Sequence, residues 1–324
     1  MPRAPDFWAR PGLLSDLLLP LAWGHAALTS TRRRFAHPWR AGVPVLCVGN
    51  LVAGGAGKTP VCLSLAQLLG ARGWHAHLLS RGYGGSLGGP VRVDPQRHSA
   101  AEVGDEPLLL ARAAPVWIGS DRASAARAAI AAGADLLILD DGFQNTSLHQ
   151  DLALVVIDGA TGLGNGRVIP AGPLREPPGS GLARAEAAIV IGEDKTGLVL
   201  PGSIVLRATL APRGATDLAG KKVVGFAGIG RPTKFRDTLE ELGAAIAGWH
   251  AFPDHHPYRE TELARLAEEA SGANAMLVTT EKDLMRLTPL WRQHVRAIAV
   301  EIAWRDEAAL LAVLAPILSR AHGP

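Results

Sequence analysis

The sequence predicts an α/β fold: a mostly parallel sheet with helices on both faces, followed by a smaller C-terminal α/β domain. Three observations predict it. From residue 43 onward, short apolar runs alternate with Ala- and Leu-rich amphipathic stretches. The first run opens into a glycine loop that leads straight into such a stretch, and a Gly/Pro-rich break at 159–185 interrupts the series before a second one begins at 221. The 324 residues are 48% hydrophobic and only 19% charged, which excludes a disordered chain and leaves enough apolar surface for two domains. A formal charge of +3 gives no reason to expect nucleic acid as a partner.

Residues 1–40 form the first segment. Its basic residues are Arg3, Arg10, Arg32, Arg33, Arg34 and Arg40, against Asp6 and Asp16. Residues 12–31, GLLSDLLLPLAWGHAALTST, carry one formal charge and run directly into the arginine triplet. A spanning helix needs roughly 20 mostly apolar residues, and Asp16 and Pro20 both weaken one here. No small-residue cleavage site precedes the arginines, which argues against a secreted leader. The triplet would hold the next domain on the cytoplasmic side. A helix lying on an anionic membrane surface is favoured over a spanning one, and over a helix packed only on the protein's own core.

Residues 41–218 make the main domain. VPVLCVG (43–49), HAHLLS (75–80), PVWIG (115–119), DLLILD (135–140) and ALVVID (153–158) read as buried strands, with helices near 58–71, 105–113 and 121–132 between them. Strand-like runs at 187–192 and 203–210 follow the break. Pro212, Gly214 and Gly220 place a boundary near 215–220. Residues 219–324 then read as strand 221–230, helix 232–242, strand 245–252, helix 259–271, strands 275–280 and 297–302, and a closing helix over 305–321. Cys47 and Cys62 fit neither a disulfide framework nor a zinc site, so both are expected as core thiols in a reduced, cytosolic compartment.

The strongest chemical signal is VLCVGNLVAGGAGKTPVCLSLAQLL, a strand, a glycine loop and a helix. Gly54, Gly55 and Gly57 let successive backbone N–H groups point at phosphate oxygens, and the helix aims its positive end at the same anion. Lys58 neutralises the β/γ oxygens, the Thr59 hydroxyl is a Mg²⁺ ligand, and Pro60 fits the first helical turn. The whole loop, Val52, Ala53, Gly54, Gly55, Ala56, Gly57, Lys58 and Thr59, is expected to hold ATP in a P-loop NTPase-type sheet. Val52 departs from the usual pattern, which has glycine six residues before the lysine. Such a loop needs an acid at the end of a buried strand, and LLILDDGFQ supplies Asp140 and Asp141.

Other constellations are weaker alone. GDEP (104–107) sets Asp105 and Glu106 at a helix start, where acids also complement the helix dipole. SRGYGG (80–85) offers Arg81 at the ligand-binding edge of the sheet, and GNGRVIPAGPLREP (164–177) is a long loop with Arg167, Arg175 and Glu176 suited to an anionic substrate. In FPDHHPY (252–258), adjacent histidines of an extended segment point opposite ways, which argues against metal binding and leaves each as a surface histidine or an acid–base partner. TTEKD (279–283) lacks the order that reads guanine.

Taken together, VGNLVAGGAGKTP, SRGYGG, GDEP, LDDGFQ, GNGRVIPAGPLREP, GRPTKF, FPDHHPY and TTEKD occur in the order found in one family, and from the N-terminus to about residue 287 the chain resembles the tetraacyldisaccharide 4′-kinases. That family's own loop resembles VAGGAGKT. The resemblance implies transfer of the γ-phosphate of ATP, with Mg²⁺, to the 4′-hydroxyl of a lipid-linked disaccharide 1-phosphate, giving lipid IVA in lipid A biosynthesis. It implies work at the cytoplasmic face of the inner membrane, peripherally or through a single N-terminal helix, and no protein partner is inferred. By position it makes Asp105 the catalytic aspartate and His255 its partner, with His256 the less favoured choice. Thr59, Glu106, Asp140, Asp141 and Glu176 fall where Mg²⁺-associated groups are expected, and Arg81 and Arg175 where substrate is bound. The rival reading is a membrane-recruited P-loop switch ATPase, which usually carries a second lysine before the glycines, where this chain has Ala53.

Overall fold

Strands form where the apolar runs are uninterrupted, and helices where Ala and Leu recur between polar residues. A computed structural model describes residues 5–214 and 216–319; Arg3, Ala215 at the expected boundary, and residues 320 and 321 of the expected closing helix lie outside the described residues. In chain order the elements are α1 (Leu13–Leu17), α2 (Leu19–Arg34), β1 (Val45–Gly49), α3 (Lys58–Gly70), β2 (Ala76–Ser80), β3 (Val91–Arg92), α4 (Ala100–Val103), α5 (Asp105–Leu110), β4 (Val116–Ile118), α6 (Arg122–Ala131), β5 (Leu136–Asp140) and β6 (Leu152–Asp158). There follow α7 (Pro178–Leu182), β7 (Ala187–Ile191), β8 (Ile204–Arg213), β9 (Lys222–Ala227), α8 (Pro232–Glu241), β10 (Ala245–Ala251), α9 (Glu260–Gly272), β11 (Met276–Thr280), α10 (Glu281–Leu284), α11 (Pro289–Arg292), β12 (Arg296–Trp304) and α12 (Glu307–Leu318). Every expected strand and helix is present. The elements not foreseen, β3, α4, α7, α10 and α11, are too short for an apolar period to register.

One sheet of 12 strands runs through the described residues in the order β10-β9-β11-β12-β8-β7-β6-β1-β5-β2-β4-β3. Every pairing is parallel except β12 with β8 and β3 with β4. Alternate residues of the central strands feed two cores, as the pleat requires. Leu46 and Val48 of β1 and Ile138 of β5 meet α3 and α12 on one face. Val45 and Cys47 of β1 and Leu137 and Leu139 of β5 meet α6 and Ala22 of α2 on the other. Both cysteines are free and buried.

Strand β9 repeats the arrangement on a smaller scale. Val223 and Ala227 pack with Phe235 and Leu239 of α8, while Val224 and Phe226 pack with Leu263 and Leu266 of α9. The chain then returns across the boundary expected at 218: β12 pairs with β8, and Leu310, Leu314 and Ile317 of α12 are buried in the larger core. Each such side chain contributes about 1.5–3 kcal/mol of transfer free energy. Strand β12 is therefore the seam that makes the two series one sheet.

The N-terminal segment is two helices, broken at Leu18, with Pro20 at the second position of α2, where its missing N–H costs nothing. No helix among the described residues is long and apolar enough to cross a membrane. Ala22 is buried and Leu18, Leu19 and Ala26 lean on the core, while Leu13, Leu14, Leu17, Leu21, Trp23, Leu28 and Phe35 are each more than half exposed. One side of this segment is held by the protein and the other presents apolar surface to the outside.

Candidate active site

The phosphate loop leaves β1 at Asn50, a buried residue whose Nδ2 donates across the loop to the Gly54 carbonyl at 3.1 Å. Gly57 has φ +90°, a backbone angle that calls for glycine, and a Cβ there would also push the tip of Ile191, whose Cδ1 would stand 2.7 Å away. Helix α3 begins at Lys58 with no side-chain cap and no acid in its first turn, which leaves its leading N–H groups open to an anion. Val52, the departure from the usual pattern, bridges antiparallel to Leu174. On either side the Ala53 N–H donates to Pro173 O at 2.7 Å and the Arg175 N–H to Leu51 O at 2.8 Å. The long loop 164–177 is thus laced to the outer side of the phosphate loop, and the Ala53 amide is engaged there.

Acids gather at the neighbouring strand end. Asp140 closes β5, opposite Val48 of β1, and is buried. Its Oδ1 accepts from Cys62 Sγ at 3.6 Å. Burial first, then the charges of Glu106 and Asp141, push its carboxyl up to about 7 against the pull of Lys58. Asp141 adopts φ +52°, a conformation a non-glycine residue rarely takes, and this turns its carboxylate to Lys58 Nζ at 3.6 Å and Arg175 Nη1 at 2.9 Å. Burial alone would raise the Asp141 carboxyl, but those two cations hold it below its ordinary value. Glu176 is also buried and accepts from Arg33 and Arg184 at 2.7 Å each and from Gln144 at 3.1 Å. Burial works to raise it, and the two guanidinium groups bring it down to about 2.

The third corner joins the two halves of the chain. Asp105 opens α5 and is buried, and its Oδ2 lies 3.1 Å from His255 Nδ1 and 2.6 Å from Arg286 Nε. Burial pushes its carboxyl up, but the His255 bond and the charges of Lys282 and Arg286 outweigh that and hold it well below the carboxylate range. His255 lies in a turn at φ +59°, not in an extended segment, and its Nε2 is 3.4 Å from Lys282 Nζ, which in turn donates to Glu106 at 2.9 Å. His256 points the other way, stacked on Phe252 with its Nε2 2.9 Å from Glu262. Of the two histidines, His255 is the one brought to Asp105. A further tie between the halves runs from Arg231, just before α8, and Lys234 of α8 to the buried Asp158 at the end of β6.

Lys58, Asp140, Asp141 and Arg175 are therefore brought together, and Glu106, whose charge acts on Asp140, connects them to the Asp105–His255 pair. Arg81 is exposed on the rim of a cavity of about 330 Å³ lined also by Tyr83, Ser86 and Ser120. Three residues that the sequence did not single out complete the site. Arg286 pairs with Asp105, Lys282 pairs with the adjacent Glu106, and Tyr83 sets its ring edge-on to His255 at 5.6 Å. Lys282 lies inside TTEKD and Tyr83 inside SRGYGG, so a signal existed for both; Arg286 had none. Among the described residues no three His, Cys, Asp or Glu side chains cage a metal by themselves. Mg²⁺ is usually held by one or two carboxylates together with substrate phosphates. Asp140, crowded by two further acids and facing Thr59's helix, is a donor set that suits such a shared ion.

Comparison with known proteins gives a consistent result. Residues 14–319 match the family model described as tetraacyldisaccharide-1-P 4′-kinase. The tetraacyldisaccharide 4′-kinase of Rhodospirillum centenum is 56% identical over 98% of this chain and 97% of its own length. That of Gluconacetobacter diazotrophicus is 55% identical over 95% of each. Among solved structures, LpxK from Aquifex aeolicus, crystallised in complex with ATP, superposes with a TM-score of 0.77 at 27% identity, covering 94% of this chain and 99% of that one.

Proposed function

This chain belongs to the tetraacyldisaccharide-1-P 4′-kinase family, and from that premise we propose how its own residues perform the reaction. It is an ATP-dependent kinase of lipid A biosynthesis that moves the γ-phosphate of ATP to the 4′-hydroxyl of the tetraacyldisaccharide 1-phosphate. The observation that carries the reading is that an uncapped helix start bearing Lys58 shares one sheet edge with an ionised carboxylate–imidazole pair. The first binds a polyphosphate, and the second receives a hydroxyl proton.

In this mechanism the open amides of Gly54 to Thr59 and the Lys58 ammonium hold the β- and γ-phosphates. Thr59 and Asp140 would hold Mg²⁺, with Asp141 and Glu106 adding negative charge around it. The ion, when bound, neutralises charge on the phosphates. Arg175, anchored on Asp141, lies beside the transferred group, and Arg81 faces the disaccharide. Asp105, which its cationic neighbours hold below the usual carboxylate range, takes the hydroxyl proton, while His255 orients the carboxylate. Glu176 supports the site through its arginines rather than from the cation's side.

The test is incubation with γ-labelled ATP, Mg²⁺ and the disaccharide lipid in detergent. Label in the lipid fraction is the expected result; label released only as inorganic phosphate would replace the kinase with a switch ATPase.

The apolar side of α1 and α2, with exposed Arg32 and Arg34 beyond it, fits the cytoplasmic face of the inner membrane as a surface-lying contact. Lifting acyl chains into water costs about 0.8 kcal/mol per CH₂, so an enzyme that meets its lipid at the surface avoids that cost. Replacing Leu17, Leu21 and Leu28 by Ser removes exposed groups each worth about 1.5–3 kcal/mol of transfer and leaves the buried Ala22 alone. Activity on vesicle-borne lipid is expected to fall at least about tenfold with activity in detergent retained. An unchanged vesicle rate excludes the membrane role.

A further inference from the structure

We propose that Arg33 is a positioning residue for phosphoryl transfer: acting through Glu176, it fixes the loop that laces the phosphate loop in place. The inference rests on the kinase reading. Its starting point is a contrast within the arginine triplet that ends α2. Arg32 and Arg34 are exposed, as a membrane contact requires, but Arg33 turns inward. Its Nη1 donates to Glu176 Oε2 at 2.7 Å and its Nη2 reaches Oε1 at 3.5 Å, a fork on a carboxylate that is itself buried.

From Glu176 the connection to the reacting groups is continuous. Gln144 Nε2 donates both to Glu176 Oε1 at 3.1 Å and to the Asn50 carbonyl at 3.0 Å, at the root of the phosphate loop. The Gln144 side-chain oxygen accepts from Arg175 Nη1 at 3.1 Å, and Arg175 holds Asp141, the partner of Lys58. The backbone just before Glu176 is the segment bonded to Leu51 and Ala53 on either side of Val52. A buried carboxylate one residue from that lacing, tied by one guanidinium to the N-terminal helix, sets where the lacing sits relative to the sheet.

Further ties run the same way. Arg167 of the long loop donates to Ser15 Oγ at 2.7 Å and meets Asp16 at 2.5 Å, and Trp8 Nε1 donates to the Pro170 carbonyl at 3.1 Å. The N-terminal segment therefore grips the loop at several points, and Arg33 is the grip nearest the chemistry. Removing it leaves Glu176 with Arg184 and Gln144, so the carboxylate is not orphaned and the fold is retained. What is lost is the register of the loop, and a misplacement of about 1 Å can cost up to on the order of 10²-fold in rate.

The test compares full-length Arg33→Ala and Arg33→Lys with the unaltered chain in detergent micelles, at saturating ATP and Mg²⁺, over a range of disaccharide lipid. Arg236→Ala, an exposed residue of α8, serves as the control. Arg33→Ala is expected to lower kcat about tenfold while the lipid KM stays within about twofold, and Arg33→Lys, which keeps one charged bond to Glu176 but not the fork, is expected to recover part of that loss. Unchanged kcat with a raised KM, in micelles or on anionic vesicles, makes Arg33 a lipid contact and overturns the proposal. Equal losses in both variants with a matching drop in Tm also overturn it, as a purely structural role. If the unaltered chain itself places no label in lipid, the kinase reading fails, which is a different result from either.

Discussion

Lys58→Ala is expected to lower kcat for lipid phosphorylation by at least on the order of 10². The size follows from where the ammonium sits. Lys58 occupies the first residue of α3, largely covered, at the point where the helix presents unbonded N–H groups. Charge that builds on the β/γ oxygens during transfer would meet a fixed cation in a partly dry cleft, where such an interaction is worth far more than in water. Its loss also removes the charge that works against the mutual repulsion of Asp140, Asp141 and Glu106. The fold is expected to survive, because Asp141 keeps Arg175 at 2.9 Å. Steady-state kinetics with a Tm measurement decide the matter, and near-normal turnover in a folded variant removes Lys58 from the mechanism.

Asp105→Asn is expected to lower kcat by about 10²–10⁴ while ATP binds within a few-fold of normal. The amide keeps the shape of the carboxylate but cannot accept a proton. Alanine is the poorer probe, because Arg286 and His255 both lean on this carboxylate and truncation would remove one of the two carboxylates, Asp105 and Asp283, that balance the buried Arg286 guanidinium. Nucleotide titration separates the outcomes. Loss of ATP binding along with turnover would move Asp105 from the hydroxyl to the nucleotide side, and retained turnover would discard it as the proton acceptor.

The fold was legible to the level of individual strands because buried parallel strands are continuous apolar runs, and β1, β5 and β6 are unbroken examples. The boundary near 215–220 was read from Pro212, Gly214 and Gly220, yet local punctuation carries no information about where the chain goes next. Strand β12 and helix α12 return to the larger core through a pairing of residues 86 or more positions apart, Ala299 with Arg213 being the nearest in sequence. The apolar N-terminus was read as one stretch, and Pro20 sets the break that makes it two helices.

By itself the sequence determined the phosphate loop, the acids that close β5 and the order of the motifs, because each of these is a local pattern: glycine where φ must be positive, lysine at a helix start, acid at a strand end. Only the tertiary structure set His255, and not His256, beside Asp105, brought Arg286 to Asp105 and Lys282 to Glu106, and turned Arg33 inward while its two neighbours stayed outside. Those contacts join residues some 140 to 180 positions apart, and the attraction between charges depends on their separation in space, which one sheet folded from two series of strands sets and a linear pattern does not.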